Sequence, residues 1–202
     1  MQRAFDQFTA NIKYIRELGA LHDYLVNEQK LPNDISDILR AKWVYTISAL
    51  DKMIHEVVRI GMVQSFLDLR LKTTRFNAFT ISLNTFNNIK SNTIPPPEFW
   101  FEQEVVQKHK ILSFQDPDKI NDALGLIWNE EHKWQKISDS MGYNERDLKI
   151  RLKNIVNRRN QIVHEADIDL QTGVRSIIDL TDTIETVDFI EKLCKTIFMF
   201  IQ

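Results

Sequence analysis

Between residues 35 and 69 the chain carries Ile35, Leu39, Trp43, Ile47, Leu50, Ile54, Val57 and Val58 at helical spacing. That pattern predicts one long helix with a continuous apolar face, and a face of that length must be covered by other elements. The composition agrees with helical partners: only five Gly and five Pro occur in 202 residues, too few for a loop-rich β architecture. With 43% apolar residues the chain can build its own sizeable core. The expected fold is all-α, a helical bundle, with residues 1–202 forming a single domain.

The same periodicity predicts a first helix over residues 2–28, carrying Phe5, Phe8, Ile12, Ile15, Leu18 and Leu25. Leu31-Pro32-Asn33-Asp34 breaks it, and Asn33 or Asp34 can cap the long helix. Phe79, Leu83, Phe86 and Ile89 predict a modest helix within 76–90, followed by a stiff break ending in Pro95, Pro96 and Pro97. Helices are expected over 98–113 and 116–128, the second opened by Asp116 as cap with Pro117 at its first position. Another is expected from Asn144 to about Ala166, and a last one from about 182 with Asp182 and Glu185 as a capping box. Neither side of that proline break makes a complete core, so it reads as an insertion or bundle connection and not a domain boundary, and residues 76–143 as a variable helical insertion and not a separate domain.

Formal net charge is -2, which argues against a broadly basic nucleic-acid coat but leaves room for a local basic groove. Residues 144–164 carry six cations against Glu145 and Asp147, a local +4 that is either a solvated helix face or such a groove. Cys194 is the only cysteine, which excludes an intrachain disulfide and a cysteine-based zinc site. Its apolar surroundings predict a packed, unreactive thiol. No membrane span and no secretory leader are recognisable, so a cytoplasmic protein is expected. No Gly-rich phosphate loop is present, and no cofactor is expected. Glu130, Glu131 and His132 cluster without enough further ligands for a metal, and His55-Glu56 lacks a second histidine because position 59 is Arg59.

Leu148, Leu152, Ile155, Ile162 and Ala166 form one stripe of the 144–166 helix, and Arg159 falls in its middle. A guanidinium on a buried line needs compensation. It can snorkel or meet a carboxylate from a facing helix; alternatively it sits in a cleft to meet phosphate, which its planar fork suits. On the long helix Ser48, Asp51, His55 and Arg59 make a polar line. That line is either an exposed face with an Asp51–His55 pair, or a place from which Asp51 or Glu56 orients Arg159 and His164.

Arg159-Asn160 followed at His164 by histidine resembles the R-x4-6-H signature of the HEPN superfamily, and Arg159-Asn160-Gln161-Ile162-Val163-His164-Glu165-Ala166-Asp167 is close to its RiboL-PSP type. The segment from Trp43 to Arg59 is similar to an earlier helix of that type, and Thr186 to Glu191 fits its last helix. The resemblance implies a metal-independent endoribonuclease acting on RNA as a homodimer, with Arg159, Asn160 and His164 at a composite site and products ending in 2′,3′-cyclic phosphate. Asp51, His55, Glu56, Arg158 and Glu165 would support that site. The family setting implies a toxin or phage-defence effector with an antitoxin or defence-system partner protein. A module that binds RNA or a partner through the same cleft without catalysis is the other reading. Some relatives carry a tyrosine two residues after the histidine, where their antitoxins modify them; here Ala166 stands there. On an ideal helix Arg159 and His164 lie about 140° apart, so the helix is expected to end or distort near His164.

Overall fold

The computed structural model describes residues 1–91, 94–169 and 171–202. Among these residues there are helices and connections but no strand beyond one isolated bridge, Ile168 to Arg175. The helices are α1 (Gln2–Asp23), α2 (Asp37–Phe66), α3 (Thr74–Asn77), α4 (Leu83–Ser91), α5 (Pro97–His109), α6 (Pro117–Leu124), α7 (Lys133–Met141), α8 (Glu145–His164) and α9 (Leu180–Ile201). A π-helical turn, Tyr24–Glu28, extends α1.

Helix α2 is the axis of the bundle, as its apolar periodicity predicts. It packs against α1, α5, α6, α8 and α9. Leu39, Ile47, Leu50, Ile54, Val57 and Val58 are all buried, joined by Met53 and Met62. Each such side chain contributes about 1.5–3 kcal/mol by leaving water, which is why the long amphipathic helix dictates the architecture. Phe8, Ile12 and Ile15 of α1 and Ile190, Leu193, Cys194 and Ile197 of α9 complete this core. Burial pushes the Cys194 thiol well up, in keeping with a packed, inert cysteine.

Local chemistry sets most helix starts. Asp116 accepts from the Asp118 amide with Pro117 at the first position, and Asn144 accepts from the Arg146 amide, both as expected. Three expectations need correction. The cap of α9 is Asp179, three residues before Asp182, whose amide it accepts; Glu185 takes no part in it. Asp34 forms a local turn with the Ser36 amide instead of capping α2. Helix α7 is an addition to the predicted elements, formed because Trp134, Ile137, Ser138 and Met141 bury one face against α8 and α9. The expected break before Pro95 partly lies outside the described residues, at Asn92 and Thr93.

Candidate functional site

Helix α8 ends on His164 because the backbone reverses there. Ala166 and Asp167 both adopt left-handed conformations, at φ 52° and 60°. Aspartate tolerates that region better than most residues, but for alanine it costs about 1–2 kcal/mol. The expectation that Ala166 continues the apolar stripe is therefore corrected: it is exposed and outside the helix. The Glu165 and Asp167 amides both donate to the Gln161 carbonyl, closing the end of α8.

What holds the reversal is the Asp167 carboxylate, which has no solvent exposure. Arg158 faces it with both ends of its fork, Nη1 at 2.5 Å from Oδ1 and Nη2 at 3.0 Å from Oδ2. Arg40, from the first turn of α2, donates Nε to Oδ2 at 2.6 Å. The two guanidiniums also donate to the Ser176 and Ile177 carbonyls, and the Ser176 amide returns a bond to the Asp167 carbonyl. Arg158 is thus a structural partner of Asp167, occupied at every described contact. Arg40, 127 positions from Asp167, has a local signature of an ordinary helix residue, and only the fold brings the two together.

Arg159 lies on the buried stripe behind Leu148, Leu152 and Ile155 and is half-buried. No carboxylate meets it among the described residues. Its Nη1 donates to Asn160 Oδ1 at 3.0 Å, while its Nε is buried without a hydrogen-bond partner. A buried donor left unpaired costs about 1–3 kcal/mol, so the guanidinium is held with unused capacity. His164 is exposed on the last turn, and among the described residues no side-chain hydrogen bond or ion pair holds it. Asn160 is half-buried and Glu165 is exposed. Arg159 and Asn160 are brought together; His164 and Arg159 are not bonded to each other.

Asp51, His55 and Glu56 face α5 and the residues after it. The Asp51 carboxylate accepts the Phe114 amide at 2.6 Å and stands 3.8 Å from His55, whose ring packs on Phe114. Glu56 pairs with Lys52 and Arg59, and Arg59 also pairs with Glu102. The polar line is therefore partly covered by α5: Asp51, His55 and Arg59 are engaged there, whereas Ser48 is exposed. Helices α2 and α8 run in opposite senses: the Trp43 indole donates to the Ile155 carbonyl, while Arg40 reaches forward to Asp167. Asp51 lies eight residues beyond Trp43 and His164 nine beyond Ile155, which separates them by about 25 Å along the axes. From that distance neither Asp51 nor Glu56 can orient His164 within one protomer.

Much of the basic run of α8 is paired, although Arg146 is exposed and Arg151 and Arg158 line a pocket of about 330 Å³ beside Trp43 and Ile155. Lys149 pairs with Glu145, Lys153 faces Asp116 and Asp118, and Arg151 bonds the Tyr143 hydroxyl and covers the Phe189 ring. Among the described residues no group of three or more His, Cys, Asp or Glu could hold a metal ion. Glu130, from the cluster considered above, accepts the His132 amide and pairs with Lys136. Also among the described residues, no helix is long and apolar enough to cross a membrane.

A family model described as RiboL-PSP-HEPN matches residues 9–202. Comparisons with curated proteins and with solved structures return no match.

Proposed function

Because the chain belongs to the RiboL-PSP-HEPN family, a membership that points to RNase-like or RNA-binding function, we propose that it is a metal-independent endoribonuclease acting as a homodimer. The observation that carries this reading is the end of α8: a guanidinium with an unpaired buried Nε one and a half turns before an uncommitted imidazole.

RNA cleavage without a metal needs a base for the ribose 2′-hydroxyl, charge stabilisation at phosphorus, and an acid for the leaving 5′-oxygen. Histidine supplies acid or base near neutral pH, and arginine stabilises the phosphorane. One protomer offers a single motif histidine, so the two proton-transfer roles call for His164 from each of two copies. In the composite site one His164 takes the 2′-hydroxyl proton as that oxygen attacks phosphorus. The other gives a proton to the departing 5′-oxygen. Products are a 2′,3′-cyclic phosphate and a 5′-hydroxyl end. The paired Arg159 side chains hold the non-bridging oxygens, and Asn160, already bonded to Arg159, fixes the plane of that guanidinium.

Residues 1–202 act together as one HEPN domain, in the setting of a toxin or phage-defence effector. With Ala166 in place of a modifiable tyrosine, an antitoxin or defence-system partner would silence it by binding. The other reading, a module that binds RNA or a partner protein without catalysis, is favoured by one observation: no group among the described residues orients the His164 ring.

The test is incubation of a structured RNA with wild type, His164→Ala and Arg159→Ala protein in the presence of chelator. Wild type is expected to cleave and to leave cyclic phosphate ends, with each substitution lowering the rate by about 100-fold or more. Binding without cleavage by all three would establish the non-catalytic module instead.

A further inference from the structure

Helix α1 contains a glycine in its interior, Gly19, where alanine would favour the helix by about 1 kcal/mol. The reason is Lys42 of α2: a Cβ on Gly19 would lie 2.7 Å from the Lys42 Nζ and 3.4 Å from its Cε. The ammonium rests on bare α1 backbone, and Lys42 is only 2% exposed. No hydrogen bond or ion pair reaches its side chain among the described residues. A lysine so deeply placed is expected to have a counter-anion.

The nearby acids are engaged elsewhere. Arg16 holds Asp188 at 2.7 Å and Glu191 at 2.5 Å; Asp23, on the cavity wall, accepts only from the neutral side-chain amide of Asn27, at 2.6 Å, and makes no ion pair with Lys42. Burial first, and then Arg16, hold the Lys42 ammonium below the usual lysine value. Lys42 opens into a cavity of about 310 Å³ at the junction of α1, α2 and α9. Gly19 lies beside the ammonium, and Ala20, Leu180 and Ile184 line the cavity together with Arg16 and Asp23. A cation without a bonded partner beside short apolar walls, with Asp23 also lining the cavity, suits a ligand with a single anionic head joined to a small hydrocarbon body.

We propose that this cavity is a binding site for a small aliphatic monocarboxylate, whose carboxylate pairs with Lys42 while its chain packs on Ala20, Leu180 and Ile184. The site is separate from Arg159 and His164 and does not depend on the nuclease reading. Gly19 and Lys42 then form one device, the glycine making room for the lysine and the lysine supplying the charge.

The probes are sodium acetate, butyrate and hexanoate, each against sodium chloride and sodium phosphate at matched ionic strength, with the full chain. Binding is expected to strengthen about fourfold for each methylene buried. Hexanoate at about 100 Kd should raise the unfolding midpoint by ~5 °C or more. The methyl resonances of Leu180 and Ile184 should move in wild-type protein, which reads binding without any substitution. Lys42→Met should weaken hexanoate about tenfold or more while the protein stays folded. Carboxylates acting no better than chloride would overturn the site. So would an equal response to phosphate, no gain with chain length, or methyl shifts confined to residues away from α9.

Discussion

Replacing Asp167 by asparagine removes one negative charge from between two arginines while keeping a side chain that tolerates the left-handed backbone. The carboxylate is fully buried and Arg40 nearly so, at 6% side-chain exposure, with Arg158 at 19%. Solvent therefore cannot step in for the lost partner. Asparagine can keep its oxygen at the Oδ2 position, which both guanidiniums use, but then presents its amide to Arg158 Nη1. Breaking a buried pair by removing one side costs about 3–5 kcal/mol, and the retained acceptor places asparagine near the lower figure. About 3 kcal/mol is a large share of the ~5–15 kcal/mol that stabilises a typical domain. It corresponds to a fall of roughly 6–12 °C in unfolding midpoint for a chain of this size. Equilibrium urea denaturation measures it directly, and a double-mutant cycle identifies its origin. In an Arg40→Met, Arg158→Met background the same Asp167→Asn change should cost under ~1 kcal/mol, because no unpaired guanidinium is left behind. A wild-type-background loss below ~1 kcal/mol, or an equal loss in both backgrounds, would refute the view that this cluster holds the end of α8.

Two further outcomes follow from groups already described. Arg159→Met should abolish RNA cleavage yet leave the unfolding midpoint unchanged or higher, since it removes a buried Nε that has no partner; a marked destabilisation would mean the guanidinium is a structural group. His109 is held down at about 4 by burial and then by the neighbouring His55 imidazole. The unfolded chain takes up that proton below about pH 6.5 and the folded protein resists until about pH 4. Its contribution is thus complete above pH 6.5 and is lost as pH falls to 4, about 3 kcal/mol in all. His109→Leu should flatten that part of the stability–pH curve, and a curve unchanged by the substitution would contradict the assignment.

How far the sequence could be read depended on the range of the interaction. Helix α2 and most of α1 follow from spacing alone, because burying one face is a local pattern with a global consequence. The caps Asp116 and Asn144 are equally local. Helix α7 carries the same kind of signal at Trp134, Ile137, Ser138 and Met141, but over only nine residues, too short for the spacing to stand out from its polar surroundings. The cap of α9 moved from Asp182 to Asp179 because both positions hold the same residue type three apart. At the candidate site, the family motif marked Arg159 and His164, while the commitment of Arg158 depended on Asp167 and Arg40 meeting in space. Likewise the charge count of α8 gave no hint that Lys149, Arg151 and Lys153 are occupied by neighbours.

The sharing of one carboxylate by two arginines also bears on how this protein can change over generations. Positions 40, 158 and 167 make up a single inherited unit: a drift at one alters the selective value of the residues kept at the other two. A conservative exchange of either arginine for lysine, harmless on most surfaces, would lose the fork geometry by which Arg158 spans both oxygens while Arg40 shares Oδ2 and reaches the Ser176 carbonyl. Variants that survive should therefore replace the trio together, and the placement of the neighbouring imidazole would travel with them.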